Sequence, residues 1–224
     1  MERKYYEAYD DRYNQIHRLG LQWFDNNPSD IVLDTIIKYT IGKNESILEI
    51  GCGEGRDAFA LLQYGYNLTA TDISASAIAY CRNRNYEYAS RFQILDCING
   101  KQNECYAFIY AVAVIHMLVE DSDRAAFYRF IYDHLSDRGI GLICSMGDGT
   151  MERMTDIQNA FELRSRIHKK SGLEVRVANT SCRMVTFDTF RREIECASLS
   201  VVEEGVTSVL PDFPCMMYAV VKRI

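Results

Sequence analysis

Past residue 45 the chain alternates between short apolar runs and stretches with helical spacing, the signature of a parallel sheet with helices on both faces. Strands are predicted near 46–50, 67–71, 91–95, 106–112 and 139–145. Helical spacing holds from Asp57 to Tyr64, Ser74 to Asn85 and Ser122 to Leu135, with Ser74 and Ser122 as N-caps. The first of these helices starts near Arg56, and its Ala58, Phe59, Leu61 and Leu62 recur at positions that pack back on a sheet.

The rhythm breaks between Asp148 and Thr186, which reads as an insertion holding a helical stretch from Ile157 to Lys169 and an alternating strand at Leu173–Val177. It resumes with a helix from Phe187 to Ala197 and a strand from Leu199 to Glu203. A turn region with Gly205, Pro211 and Pro214 follows, then a last strand from Cys215 to Lys222. The final two strands are close enough in sequence to pair antiparallel. Before the sheet, Tyr5, Tyr9, Tyr13 and Ile16 share one face of an amphipathic helix, followed by Trp23 and Phe24. Two readings stand for that face: a helix laid on the sheet edge, or a lid whose aromatics close over a site.

Composition narrows the class. At 224 residues, 48% apolar and 25% charged, with no Pro-, Gly- or Ser-rich linker, the chain reads as one ordered domain. A formal charge of −6 argues against nucleic acid as the main partner. The eight cysteines lack C-x-x-C spacing and read as reduced thiols, and the four histidines form no cluster with metal-ligand spacing, so no metal is expected. The N-terminus has no apolar signal region, and no apolar run approaches the roughly 18 residues that span a bilayer. A cytoplasmic protein without membrane contact is the expectation.

The chemistry concentrates where strands end. Ile47-Leu48-Glu49-Ile50 runs into Gly51, Gly53 and Gly55, a turn that lets backbone N–H groups and a helix N-terminus approach a polar ligand. Asp72 closes the next strand and suits ribose hydroxyls; Asp96 closes the third and suits an adenine amino group. The three features occur in chain order at strand ends, where parallel sheets bind ligands, and together they point to an adenosine-containing cofactor. A nicotinamide-dependent oxidoreductase would share the first strand, the glycines and Asp72, but its fingerprint needs Gly or Ala where Arg56 stands.

These residues resemble the class I S-adenosylmethionine-dependent methyltransferases, strongly over about residues 45–145 and again from Phe187 to Gly205. Glu49-x-Gly51-x-Gly53-x-Gly55 is similar to their first motif, and Ala111 to Leu118 to the segment after their fourth strand. Gly55-Arg56-Asp57-Ala58 is similar to small-molecule members of the tellurite-resistance and thiopurine type. The chain departs from the family at Ala107, where many members carry aspartate, and at Ala197-Ser198-Leu199 in place of Ala-Gly-Phe. The resemblance implies a Rossmann-like, doubly wound, seven-stranded α/β sheet with an antiparallel last strand and S-adenosylmethionine as cofactor. It puts Glu49, Gly51, Cys52, Gly53, Gly55, Arg56, Asp72, Ile73, Asp96, Cys97 and Ala111 at the cofactor.

The expected activity is methyl transfer to a small-molecule acceptor, roofed by residues 1–30 and 148–186, with Tyr9, Tyr13 and Trp23 toward the site. A non-catalytic adenosylmethionine-binding protein is the other alternative. His116, just past the fourth strand, is the candidate general base; it equally suits a histidine that caps or packs at a helix start. From Thr150 to Glu195 nine basic residues face seven acidic ones, and Arg164, Arg166, Lys169 and Lys170 would meet an anionic acceptor unless they form an ordinary solvated surface.

Overall fold

Strands that are covered on both faces are apolar at nearly every position, and the burial of Ile47-Leu48-Glu49-Ile50 on both sides, Glu49 included, marks the centre of the sheet. The structure is a computed structural model that describes residues 3–24, 27–208 and 215–224. The central sheet is built from β1 (Ile47–Ile50), β2 (Leu68–Asp72), β3 (Phe92–Ile94), β4 (Tyr106–Val112) and β5 (Leu135–Met146). Between β5 and the last strands lie β6 (Arg153–Met154), β7 (Leu163–Ile167), β8 (Glu174–Ala178) and β9 (Arg183–Met184), paired β6 with β9 and β7 with β8. β10 (Leu199–Thr207) and β11 (Met216–Arg223) return to the central sheet, whose order is β10-β11-β5-β4-β1-β2-β3. β11 runs antiparallel to both of its neighbours and the other six strands are parallel, as expected.

The helices are α1 (Ala8–Arg18), α2 (Asp30–Lys38), α3 (Arg56–Gln63), α4 (Ala75–Arg84), α5 (Asp121–His134) and α6 (Phe187–Cys196). Period two divides the strand residues between two cores. Leu48, Ile50, Ile109 and Ala111 point to a layer with Phe127 and Ile131 of α5 and Phe190 and Ile194 of α6. Ile47, Phe108, Tyr110 and Leu142 point to the opposite layer, with Val32 and Ile36 of α2, Ala58, Phe59, Leu61 and Leu62 of α3, and Ile78 of α4. Each fully buried side chain of this size contributes about 1.5–3 kcal/mol, so both faces hold the sheet. Among the described residues no helix is long and apolar enough to cross a membrane.

β1 pairs with β2 on one side and β4 on the other, so the chain direction of travel reverses there and opens a crevice at the strand C-termini. α1 reaches that crevice, packing on β8 and α4 and not along an outer edge strand. A 3₁₀ turn at Tyr5–Glu7 precedes it, and the buried Tyr5 hydroxyl donates to Asp123 at 2.8 Å and accepts from Val119 N at 2.9 Å.

Three local expectations are corrected. The stretch expected as a helix from Ile157 to Lys169 is a 3₁₀ turn at Ile157–Asn159 followed by β7, paired antiparallel with β8 from Leu163↔Ala178 to Ile167↔Glu174. Gly172, at φ 71°, closes that hairpin, and Val175 and Val177 of β8 bury against Ile16 of α1. Gly205 belongs to a strand that extends beyond Glu203 to Thr207, where its missing side chain leaves room for the ring of Tyr218. Pro211 and Pro214 lie outside the described residues. α5 starts at Asp121 with Glu120 at its N-cap, so Ser122 sits inside the first turn, where Asp121 and Asp123 complement the helix dipole. Ser74 does cap α4, accepting from Ala77 N at 3.0 Å.

Candidate active site

The turn after β1 is tight because it passes between two other elements. Gly51 sits at φ 73°, and a Cβ there would stand 2.4 Å from Cγ2 of Val114, in the segment after β4. Gly53 sits at φ 52°, and a Cβ there would stand 2.5 Å from the hydroxyl of Tyr13. Both positions require glycine for conformation as well as room. The turn is tied to β2 by Asp72, whose carboxylate accepts from Gly53 N and from Ser74 N, each at 2.8 Å. Burial pushes the Asp72 carboxyl up to about 6, against the pull of these backbone donors.

At the end of β3, Asp96 accepts from Ile98 N and from the Asn99 side chain, both at 2.8 Å. Asp72 and Asp96 line one cavity of about 70 Å³, with Ile73, Leu95, Ile98 and Leu118 as its apolar walls and Gly51 and Cys97 beside them. Tyr6, Tyr9 and Tyr13 cover it. Two carboxylates separated by flat apolar surface fit an adenosine, which offers a diol at one end and an amino group at the other.

A second cavity of about 510 Å³ adjoins the first and shares Tyr9, Tyr13 and Met117 with it. Its walls come from α1 and the segment behind it (Arg12, Trp23, Phe24), from the turn after β4 (Ala113, His116) and from the insertion (Thr155, Arg166, Asn179, Ser181, Cys182). His116 is buried, and burial together with the Arg124 charge pushes its imidazole down to about 3. It is therefore a neutral ring and a weak base throughout the physiological range.

The structure thus gathers Gly51, Asp72, Ile73, Asp96 and Cys97 around the smaller cavity, His116 and Trp23 around the larger, and Tyr9 and Tyr13 between them. The remaining first-motif residues line neither. Glu49 is buried beneath the turn beside Tyr110, where burial and Asp57 hold its carboxyl well above the usual range. The Cys52 thiol points toward Gly53 O, and Gly55 backs onto the ring of Phe59. Arg56 pairs with Asp57 at 2.8 Å. Ala111 lies within β4, paired with Ile143, and the chain reaches the larger cavity only just past the strand, at Ala113, which adopts φ 62°.

Two polar residues that pattern reading passed over organise the site. Glu54, 2% exposed, accepts from Trp23 N at 2.8 Å and Phe24 N at 2.9 Å and bonds the His17 ring at 2.9 Å, fastening the N-terminal segment to the glycine turn. Arg12 donates to the carbonyls of Ala178 and Asn179 and fastens the same segment to the insertion. The signal for Glu54 was its place between two glycines of the turn; an arginine beside Tyr13 on an amphipathic helix gives none. Among the described residues no group of three or more His, Cys, Asp or Glu side chains is placed to hold a metal ion.

Residues 47–139 match the family profile of the methyltransferase domain, and over nearly its whole length the chain has the fold of solved adenosylmethionine-dependent methyltransferases. The stretch 47–139 carries a methyltransferase domain. A methyltransferase of this type from Clostridium acetobutylicum superposes with TM-score 0.65 at 13% identity, over 97% of this chain and 98% of that one. The CcbJ methyltransferase of Streptomyces caelestis superposes with TM-score 0.70 at 13% identity, covering 96% and 98%. The 1,6-didemethyltoxoflavin-N1-methyltransferase of Burkholderia thailandensis, solved with 1,6-didemethyltoxoflavin and S-adenosylhomocysteine, gives TM-score 0.66 at 14% identity, covering 100% and 91%. A search of curated proteins finds no match. Solved methyltransferases of this fold hold S-adenosylmethionine or S-adenosylhomocysteine. In this chain Asp72 would hold the ribose hydroxyls and Asp96 the adenine edge.

Proposed function

We propose that this methyltransferase acts on a small molecule taken into the 510 Å³ cavity. The observation that carries the reading is the size and position of that cavity. It falls within the range of about 300–1,000 Å³ typical of small-molecule pockets, and it meets the cofactor cavity at Tyr9, Tyr13 and Met117. A protein or nucleic-acid acceptor calls for an open groove, whereas α1 and the insertion close this space from two sides. The toxoflavin-type N-methyltransferase, whose name states a small acceptor, supports the same class.

Bound S-adenosylmethionine supplies an activated methyl group on a sulfonium. The work of the chain is to align the acceptor atom with that methyl and to keep water away from it. Tyr9, Tyr13, Trp23 and Met117 supply the covering surface, and the Tyr9 hydroxyl, donating to Ser181 O at 2.9 Å, joins the two halves of the roof. His116 orients the acceptor as a neutral hydrogen-bonding group; with its affinity for protons so low, it favours acceptors that are nucleophilic without a strong base.

The reading is tested by following S-adenosylhomocysteine release with a panel of small amines, thiols, phenols and carboxylic acids, alongside protein and RNA fractions. Turnover with small molecules alone supports it. Turnover with protein or RNA alone contradicts it.

A further inference from the structure

Among the described residues two arginines are almost wholly withdrawn from solvent, and they are treated differently. Arg124, 1% exposed, meets Glu193 through two hydrogen bonds of 2.8 and 2.6 Å. Arg12, 8% exposed, meets only neutral acceptors: Ala178 O at 2.9 Å, Asn179 O at 2.7 Å and Thr180 Oγ1 at 2.7 Å. Its guanidinium lies 5.3 Å from the Tyr9 ring centre and 5.0 Å from that of Trp23. Carbonyls and rings lessen the cost of burying a charge but do not neutralise it, and buried charges are ordinarily paired.

The imbalance extends through the larger cavity. Arg166, from β7, lines the same space as Arg12, and their charges oppose each other. Among the described residues no aspartate or glutamate lines this cavity, and Arg166 forms no ion pair. Its neighbour Arg164, on the same face of β7, pairs with Glu162 at 2.8 Å and does not line the cavity. Neither Arg12 nor Arg166 borders the cofactor cavity, where both lining carboxylates, Asp72 and Asp96, are found.

We propose that the methyl acceptor carries an oxyanion, a carboxylate or a phosphate, bound between Arg12 and Arg166. The proposal rests on the small-molecule reading above and gives it a substrate class. A planar guanidinium fork matches an oxyanion in two hydrogen bonds, and the pair would recover on binding the counter-charge that the described residues of the cavity wall do not supply. Arg12 is preorganised by the carbonyls at 178 and 179, whereas Arg166 is exposed at the rim and meets the anion as it enters.

The test uses the full chain saturated with S-adenosylhomocysteine and titrated with benzoate, phenyl phosphate and, as a neutral control, benzamide. Benzoate or phenyl phosphate should bind at least about tenfold more tightly than benzamide, the scale of a hydrogen bond to a charged group. Arg166→Gln should remove that preference while leaving S-adenosylhomocysteine affinity unchanged; its exposed position makes misfolding no concern. Equal binding of charged and neutral probes, or no anion binding, overturns the proposal and leaves the methyltransferase assignment intact.

The same chemistry has a second source, the carboxylate of the cofactor itself. If Arg166→Gln weakens S-adenosylhomocysteine but not 5′-methylthioadenosine, which lacks the amino-acid portion, the arginines serve the cofactor and the proposal is overturned. Failure of S-adenosylhomocysteine to bind the wild-type chain would count against the cofactor assignment, and the benzoate preference would still be measurable.

Discussion

The hydroxyl of Tyr13 rests on Gly53, 2.5 Å from where a Cβ would stand, so a residue of α1 and a residue of the cofactor turn occupy adjoining space. Gly51 is crowded too, but by Cγ2 of Val114 at 2.4 Å. The tip of a tyrosine can swing aside, whereas a β-branched valine is stiff. Gly53→Ala should therefore cost about 1–2 kcal/mol, mostly for its left-handed backbone, and Gly51→Ala about 3 kcal/mol or more. Thermal denaturation of the two variants, with Tyr13→Phe added to each, checks this: the tyrosine change should relieve Gly53→Ala and not Gly51→Ala.

Glu54 holds the N-terminal segment by accepting from two consecutive backbone amides, Trp23 N and Phe24 N. Removing the carboxylate leaves both donors in a half-buried place without their acceptor, at about 1–3 kcal/mol each if water does not replace it. Glu54→Ala should speed hydrogen exchange at Trp23 and Phe24 while the amides of β1 and β4 keep their protection. Equal loss of protection throughout the sheet would mean that Glu54 supports the whole fold.

His116 should stay neutral. With burial and Arg124 pushing its imidazole down to about 3, its ring proton resonances should not move between pH 8 and pH 5, while a solvent-exposed histidine titrates near 6.5. A midpoint near neutrality, absent in His116→Gln, would return the ring to the role of general base.

Asp72 links affinity to pH. Its carboxyl stands at about 6 in the fold against an ordinary 3.8, so the folded chain binds this proton more readily than the unfolded chain does. Ionised Asp72 therefore costs stability above about pH 6, and the cost disappears as pH falls toward 3.8. The ribose hydroxyls need the ionised form, so S-adenosylhomocysteine affinity should be flat above pH 7 and fall toward about tenfold per unit below pH 6. Calorimetric titrations at pH 5, 6, 7 and 8 follow this; an affinity constant down to pH 5 would contradict it.

The sheet was legible because parallel strands covered on both faces leave near-continuous apolar runs such as Phe108–Val112, and Ile47–Ile50 with Glu49 as its one break, whose meaning does not depend on distant partners. The residues that line the smaller cavity were legible for the same reason: once the strands are located, Gly51, Asp72 and Asp96 fall at one edge. The insertion was not. Leu163 and Ile167, four apart, satisfy a helical spacing as well as an alternating one, and pairing with Glu174–Ala178 decides between them. Arg12 illustrates the same limit from the polar side, since a charge on an amphipathic helix reads as solvent-facing until the carbonyls at 178 and 179 close over it. Gly55 and Arg56 match the motif by spacing but face Phe59 and Asp57, because the turn has already bent into α3 at that point.

The most direct test of the account is calorimetric titration of the full chain with S-adenosylhomocysteine at pH 7.5, with NAD as a control, repeated on Asp72→Ala. Saturable binding of S-adenosylhomocysteine is expected, with none of NAD and with loss of most of the affinity in the variant, its fold intact by circular dichroism. Undiminished binding in Asp72→Ala, or no binding by the wild-type chain, would contradict it.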